Sequence, residues 1–414
     1  MKKRNNCCTA VLLRLLASFI LLASLLVLPK VQGAVGDTFT TGLLRYTVLT
    51  EKSASKTGTV SVRRASENIS GDITIPSSVF NKGINYSVTS IEMGAFCDCS
   101  SLTSVHIPDS VTEIGTVAFG GCSSLTSVII PDSVTSIGEG VFYGCSSLTE
   151  IVVGENNPEY GSLDGVLFNK GQTALIRCPG GKSGTYIVPD GVTEIGVGAF
   201  LKCSNLTSVI IPDCVTEIGY DAFDECDNLP PILFSKEKKV LVRYSRSNKD
   251  TSYTIPDTVT RIAGGAFKEC SALVNITIPD SVTSIDKAAF EGCSNLTNIV
   301  IPDNITSIGR SAFSGCSNLT NIVIPNNVNS IGAVAFRDCS ALASIVIPDS
   351  VTSIGYWAFY KCDKLTDVYF KGNAPKLPNG NAFFEPSVIY YKPGTKGWKN
   401  SWSGRPAKEC GVIP

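Results

Sequence analysis

The 414-residue chain has one histidine, His106, and only two methionines. A single histidine excludes every mechanism that needs two, including HExxH metalloproteases and three-histidine zinc sites. The chain also lacks a glycine-rich loop between a strand and a helix, and it lacks a Gly-x-Ser-x-Gly elbow, so no motif for nucleotide binding or serine hydrolysis is present. We therefore predict a protein that is not an enzyme, with no catalytic residues, no cofactor and no metal.

Charged residues are also scarce. They make up 17% of the chain, against about 25% in typical soluble domains. The formal net charge is −1, which gives no electrostatic basis for binding nucleic acid or an anionic membrane. We predict no nucleic-acid partner.

Residues 1–33 have the pattern of a secretory signal peptide. Basic residues begin the segment, an apolar stretch runs from Ala10 to Leu28, and small residues around Gly33 suit cleavage. The alternative is an N-terminal membrane anchor, but Arg14 shortens the apolar run to about 14 residues, below the roughly 20 that a spanning helix needs. We predict an exported protein, secreted or at the cell surface, with no membrane span in the mature chain.

Repetition is what the chain has in abundance. Ten phenylalanines recur mostly 23 residues apart, each followed three residues later by a cysteine. The pairs are Phe96 and Cys99, Phe119 and Cys122, Phe142 and Cys145, Phe200 and Cys203, Phe223 and Cys226, Phe267 and Cys270, Phe290 and Cys293, Phe313 and Cys316, Phe336 and Cys339, and Phe359 and Cys362. A period of this length indicates a solenoid, in which a turn buries its apolar side chains only by stacking on its neighbours.

Each 23-residue unit predicts two short extended segments. In the unit that begins at Leu102, apolar residues alternate up to Ile107 and predict a strand, which Pro108 ends because proline cannot donate to a ladder. Residues 111–114 predict a second extended segment. Gly115 follows it, where we expect a positive φ, and residues 118–122 have the spacing of one helical turn. The predicted fold is a right-handed leucine-rich-repeat solenoid, predominantly β, with about 12 rungs.

The period fails at both ends and at two places inside the chain. We predict an N-terminal β cap at 34–75, the solenoid at 76–367, and a C-terminal cap and tail at 368–414. Irregular repeats lie near 154–188 and 230–255, where the related segments Leu167–Arg177 and Leu233–Arg243 predict β-hairpins. Insertions in solenoids often lie on the binding face; the alternative is that these hairpins only extend the sheet.

The units resemble the Treponema pallidum-type leucine-rich repeat of BspA-like surface proteins. The match is almost column for column in the units that begin at Cys99, Cys122, Cys203, Cys293, Cys316 and Cys339. The closing segment Tyr390–Trp398 also looks like a piece that these proteins carry. The resemblance implies an exported bacterial surface protein, since some relatives adhere to host matrix proteins or to other bacteria.

The cysteine spacing fits neither a zinc site nor a set of disulfides. Side chains stacked on successive turns point in parallel, which does not suit a disulfide between neighbours. We predict a column of buried, reduced cysteines, because a free cysteine behaves as a small hydrophobe. The pairing of Cys97, Cys178, Cys214 and Cys410, which lie outside the column, is left open.

The strand face is expected to be concave, with two columns of outward side chains as the candidate ligand site. The predicted site residues are His106, Ile129, Val152, Ile210, Thr277, Val300, Val323, Val346 and Tyr369 in one column, with Asn275, Asn298 and Asn321 from the other. Apolar stripes of this kind often mark protein or glycan contacts; the alternative is that β-branched residues simply favour strands. His106 is expected to be one more surface residue of this row.

A column of acidic residues follows the prolines. Its members are Asp109, Asp132, Asp190, Asp213, Asp257, Asp280, Asp303 and Asp349. Turn formation by aspartate explains the column; weak Ca²⁺ binding is the alternative.

Three functions follow from this pattern. The leading hypothesis is an adhesin-like protein whose concave β-face binds host extracellular proteins, glycans such as mucin, or other bacterial surfaces. The second is a structural or self-associating component of the cell surface. The third, a glycan-active enzyme, has no residues to support it.

Overall fold

The protein is described by a computed structural model in which residues 33–53, 57–67, 69–377, 381–383 and 387–414 are placed. The predicted signal peptide, apart from Gly33, lies outside these described residues. Within them every regular element is a β-strand, and no helix capable of crossing a membrane is found. The chain makes about 13 turns of about 23 residues, which confirms the predicted β-solenoid.

Contacts divide the chain into two compact units. The first comprises the described residues up to Val209 and Ala222–Leu229, and the second comprises Ile210–Asp221 and the described residues from Pro230 to Pro414. In each unit a regular turn contributes one strand to each of two parallel ladders. We call the ladder built from the Leu-x-x-Val/Ile strands the front ladder and the other the back ladder; the outward side of the front ladder is the front face.

The front ladder of the first unit pairs β4 with β7, β9 with β11, and β15 with β17. These strands are β4 Ser70–Thr74, β7 Ser101–His106, β9 Ser127–Ile130, β11 Glu150–Val153, β15 Gly184–Ile187 and β17 Leu206–Ile210. The back ladder and the segments that extend it are β1 Thr38–Thr41, β2 Leu44–Thr50, β3 Gly58–Arg64, β5 Ser78–Asn81, β6 Ile84–Ile91, β8 Glu113–Ile114, β10 Ser136–Ile137, β12 Tyr160–Leu163, β13 Val166–Asn169, β14 Ala174–Arg177 and β16 Glu194–Ile195.

The front ladder of the second unit has two stretches, β21-β23-β25-β27 and β29-β31-β32-β34-β33. Its strands are β21 Ser252–Thr254, β23 Asn275–Thr277, β25 Asn298–Val300, β27 Asn321–Val323, β29 Ser344–Ile347, β31 Asp367–Phe370, β32 Val388–Tyr391, β33 Ser401–Trp402 and β34 Arg405–Glu409. The remaining strands are β18 Glu217–Ile218, β19 Ile232–Phe234, β20 Val240–Tyr244, β22 Arg261–Ile262, β24 Ser284–Ile285, β26 Ser307–Ile308, β28 Ser330–Ile331 and β30 Ser353–Ile354.

The strand register equals the sequence period. Ile276 of β23 pairs with Ile299 of β25, which pairs with Ile322 of β27, each 23 residues further on. Each position therefore stacks on its own copy, and side chains alternate between the core and the front face. The alternation predicted for the end of the Leu102–Ile107 segment is confirmed, since Val105 and Ile107 are buried on either side of exposed His106.

The phenylalanine column stacks ring on ring, in two groups in the first unit (Phe96 to Phe142, and Phe200 with Phe223) and continuously in the second. In the second unit the ring centroids of Phe290 and Phe313 are 5.4 Å apart with an interplanar angle of 2°, and those of Phe313 and Phe336 are 5.5 Å apart. Tyr244 begins this stack and Phe383 continues it beyond Phe359. Offset-stacked aromatic pairs contribute about 0.5–1.5 kcal/mol each beyond the area that they bury.

The predicted helical turn around each phenylalanine is wrong. Short i to i−3 hydrogen bonds form there, such as Gly120 N to Val117 O at 2.9 Å and Cys122 N to Phe119 O at 3.2 Å. The residues at both ends of the segment have a positive φ, 49° at Val117 and 75° at Gly121. A left-handed residue stops a right-handed helix, so the segment is a pair of β-turns.

The expected positive φ at Gly115 is also wrong, and the positive value lies two residues later, at Val117. Gly115 is needed for a different reason. A Cβ atom there would lie 2.5 Å from the backbone nitrogen of Met93 in the preceding turn. The glycine column therefore permits close approach of two backbones, which is the second common use of glycine.

The buried, reduced cysteine column is confirmed for all ten members. Its thiols also bond neighbouring turns: Cys316 Sγ donates to the carbonyl oxygen of Phe290 at 3.2 Å, and Cys339 Sγ donates to that of Phe313 at 3.2 Å. Outside the column, Cys178, Cys214 and Cys410 are reduced thiols, so no bridge joins them to one another.

Both predicted hairpins are confirmed as antiparallel pairs, β13 with β14 and β19 with β20. Their second strands then pair in parallel with the next back-ladder strand, so the hairpins extend the sheet. A buried arginine, Arg177, completes the first one by donating to the carbonyl oxygens of Gly198 at 2.6 Å and Leu201 at 2.9 Å. A role of the hairpins in binding stays a prediction.

We expect Gly138→Ala to lower the free energy of unfolding by about 1–3 kcal/mol, because its Cβ would overlap the backbone of Thr116 in the preceding turn. Gly191→Ala is the matched control in the same unit, since an added Cβ meets nothing within 4 Å there. Chemical denaturation of the two variants and the parent chain measures the difference. Equal midpoints for both variants would contradict the close-approach role.

We expect the column thiols to resist alkylation in the folded protein. Burial raises the pKa of Cys362 to about 12, and it raises the pKa of Cys316 and Cys339 well above the usual value. The reactive thiolate is therefore scarce at pH 8 and rises only at much higher pH. Iodoacetamide labelling read by peptide mass spectrometry should modify exposed Cys214 first and the column only after denaturation. Labelling of Cys316 as fast as Cys214 would refute the prediction that burial protects the column thiols.

Candidate binding surface

The front face of the second unit carries an exposed apolar row. Val300 and Val323 lie directly opposite each other in register and are 68% and 65% exposed. Val346 and Tyr369 form the next pair along the row and are half-buried. Strand alternation fixes this placement. The residue before each valine, Ile299 or Ile322, points into the core, so the valine itself points outward.

A polar row runs beside the apolar one. Asn275, Asn298 and Asn321 are in register and exposed. Their side-chain amides have no hydrogen-bond partner among the described residues. Asparagines on the turns behave differently, since the Asn304 and Asn327 amides each donate at 2.7 Å to a backbone carbonyl of the preceding turn. The fold thus uses the turn amides and leaves the front-face amides available.

The first unit has the same two rows over β7, β9 and β11. Ile129 and Val152 are in register and exposed, and His106 pairs with Thr74 of β4. A solvent-open cavity of about 380 Å³ lies here, lined among others by His106, Ile129 and Asp109. The His106 side chain forms no hydrogen bond with a serine or carboxylate in the described chain, so no nucleophile–base pair is assembled.

The structure extends the row beyond the predicted residues. Ile187 of β15 is 64% exposed on the first unit, Thr254 precedes Thr277 in register, and Tyr390 and Lys408 continue the row past Tyr369. Ile187 and Thr254 lie 23 residues before Ile210 and Thr277, so the period itself reaches them. Tyr390 and Lys408 follow at shorter intervals and escape the period. The residue two before each turn proline would have identified Ile187 and Thr254.

Two members of the acidic column, Asp132 and Asp213, accept hydrogen bonds from the segment that follows in the next turn. Asp132 accepts from the Asn156 backbone at 3.1 Å, and Asp213 accepts from Ser235 Oγ at 2.6 Å and from the Glu237 backbone at 3.0 Å. No group of three or more His, Cys, Asp or Glu side chains suited to a metal ion is found among the described residues. Turn formation is the role that these contacts support.

The parallel ladders, the stacked phenylalanine column and the variable outward rows define the class of protein: a leucine-rich repeat solenoid with its strand face exposed. Six copies of the BspA type leucine rich repeat region match residues 73–164, 182–249 and 242–366. These matches cover more than half of the chain. The chain therefore belongs to the BspA-type leucine-rich repeat family.

Solved structures of similar chains are bacterial. A leucine rich cell surface protein from Faecalibacterium prausnitzii is 29% identical, with 82% of this chain and 96% of that chain covered and a TM-score of 0.43. A leucine-rich repeat protein from Bacteroides ovatus is 22% identical, with 90% and 99% covered and a TM-score of 0.37. The pneumococcal vaccine antigen PcpA is 19% identical, with 87% and 94% covered and a TM-score of 0.32. Comparison with curated proteins gave no match.

We expect EDTA to leave the thermal unfolding midpoint unchanged. The carboxylates of Asp132 and Asp213 already satisfy the turns of the following segment, so removing divalent ions should cost the fold nothing. Differential scanning calorimetry with EDTA, with EDTA plus excess Ca²⁺, and with neither is the measurement. A midpoint that falls with EDTA and recovers with Ca²⁺ would establish the cation role instead.

Proposed function

We propose that this protein is exported and binds ligands through its front face, as a secreted or surface-attached adhesin-like protein. The ligand classes are host extracellular proteins, glycans such as mucin, and the surfaces of other bacteria. The observation that carries the proposal is the pairing of exposed valines with unused amides on the second unit. Apolar area and hydrogen-bond donors placed side by side are what a protein or glycan contact needs.

Covering the apolar row with a partner would contribute favourable free energy to binding. Full burial of one valine side chain contributes about 1.5–3 kcal/mol. Val300 and Val323 are each about two-thirds exposed, so a partner that covers both gains most of that for each. Isolated exposed apolar side chains are ordinary, but a contiguous row often marks an interaction site.

The polar row would orient the ligand, because hydrogen bonds are directional. Each of the three front-face amides can donate and accept a hydrogen bond, and none is used by the fold. Structural needs explain the asparagines of the turns, as with Asn304 and Asn327, but they do not explain Asn298 and Asn321.

No arrangement in the described residues supports catalysis. The first-unit cavity lacks a hydrogen-bonded pair of nucleophile and base, which acyl or glycosyl transfer would require. We therefore propose a binding protein that is not an enzyme and needs no cofactor.

The decisive variant combines Val300→Lys, Val323→Lys and Val346→Lys. Three charges in the apolar row should weaken binding to an immobilised ligand at least tenfold, because ammonium groups would have to be desolvated in the contact. Full-length chain is first screened against immobilised fibronectin, fibrinogen, collagen and mucin glycans, and the variant is then measured against each ligand that binds.

The matched control is Thr306→Lys, Asn329→Lys and Thr352→Lys. These exposed positions lie six residues further along in the same three turns and add the same charge away from the front face. The proposal requires the control to bind like the parent chain. Equal binding by both triple variants would reject the front face as the site, and concentration-dependent assembly without any ligand would favour the structural alternative.

A further inference from the structure

The front row changes its chemistry at the end of the second unit. Val346 is followed in register by Tyr369, then Tyr390, then Lys408. Adjacent strands in a sheet lie about 4.8 Å apart. The row therefore passes within three strands from an aliphatic surface to phenol and ammonium groups.

The two tyrosines are held as a pair. Their ring centroids are 5.0 Å apart with an interplanar angle of 18°, so the two rings are stacked. Neither hydroxyl has a hydrogen-bond partner among the described residues. Burial and the nearby Asp367 carboxylate raise the pKa of Tyr369, which keeps its hydroxyl protonated as a donor.

Three exposed lysines lie near this tyrosine pair. Lys371 and Lys392 lie two residues beyond Tyr369 and Tyr390, one residue past the ends of β31 and β32. Their backbone N–H groups continue the ladder, to Ile347 O at 3.0 Å and Phe370 O at 3.1 Å. Together with Lys408 they are exposed, and none of the three forms an ion pair with another described residue.

The local charge is positive although the chain is not. Residues 360–414 contain nine Lys and Arg against four Asp and Glu, a net charge of +5, whereas the whole chain has −1. The acidic groups next to the strip are few: Asp367, which accepts from Thr366 Oγ1 at 2.7 Å, and Glu409, which follows Lys408. The strip formed by Tyr369, Tyr390, Lys371, Lys392 and Lys408 is thus a row of donors in a positive field.

We propose that this strip binds an anionic polysaccharide, a chain of uronate or sulfated sugars laid across the strands. The proposal rests on the front-face function above and names its ligand class. An anionic sugar chain offers carboxylate or sulfate acceptors at regular intervals, which the phenol and ammonium donors can take one strand at a time. An acidic protein is the alternative ligand, and the polymer arms of the test separate it from a sugar chain.

The test uses the full chain and four defined polymers in a biolayer binding assay. Polygalacturonate supplies carboxylates, dextran sulfate supplies sulfates, neutral dextran supplies sugar without charge, and poly-glutamate supplies charge without sugar. We expect binding to one or both anionic polysaccharides, at least tenfold weaker binding to the other two polymers, and loss of affinity as salt screens the charges. The first two arms distinguish a uronate from a sulfate ligand.

Two variants and a matched control locate the site. Lys371→Gln with Lys392→Gln and Lys408→Gln should weaken polysaccharide binding at least tenfold, while Lys249→Gln with Lys287→Gln and Lys361→Gln, which removes three exposed charges from the same unit outside the strip, should leave it within twofold. Tyr369→Phe with Tyr390→Phe keeps the ring stack and removes both hydroxyls. It should weaken binding at least tenfold, the low end of what a single hydrogen bond to a charged group contributes.

Equal loss from the two lysine triples would overturn the site, and equal or tighter binding of poly-glutamate would overturn the ligand class in favour of an acidic protein. Absence of binding to both anionic polysaccharides would also overturn it. That result leaves the front-face function standing if the valine-row variant still loses a matrix ligand. The thermal midpoint of each variant verifies its folding, so that unfolding is not mistaken for loss of the binding site.

Discussion

The constraint on which the structure depends is that each turn must stack on a copy of itself at one strand spacing. Parallel pairing fixes the register at one turn, so Ile276 pairs with Ile299 and Ile299 pairs with Ile322. A residue type is therefore chosen for how well it packs against itself. Phenylalanine succeeds through flat stacking, glycine through backbone contact, and cysteine because its thiol reaches the carbonyl oxygen of the preceding turn.

The irregular turns show what happens when the copy is missing. A hairpin strand such as β14 has no pair of β-turns to bond the next turn, and the carbonyl group of Leu201 would be left without a donor. Arg177 supplies one from its buried guanidinium. It also donates to the carbonyl group of Gly198, which already accepts from the Leu201 backbone at 3.0 Å. Burying that charge is costly unless its donors are used, and two of its nitrogens are. Arg64 acts similarly at the first regular turn, donating to the carbonyl oxygen of Cys97.

The sequence alone predicts the ladders, the core and the outward rows because all of them obey one period. The alternation in Leu102–Ile107 and the hairpin of Leu167–Arg177 need only local pattern. Two predictions failed, at Gly115 and in the predicted helical turn at 118–122, because both depend on how closely a neighbouring backbone approaches. The sequence of a single turn does not reveal the distance between its backbone and that of the neighbouring turn. The positive strip was missed because Tyr390 and Lys408 enter the row through turns of other lengths, so only strand pairing brings them beside Tyr369.

The reduced cysteine column has a consequence for the lifetime of the protein. While the turns are stacked, parallel side chains and burial keep ten thiols from oxidant and from one another. Once the stack opens, those thiols become mobile neighbours along a single chain, and an oxidising medium would join them in combinations that the folded register forbids. Unfolding there becomes a one-way step, so persistence is set by the rate of opening rather than by the equilibrium stability.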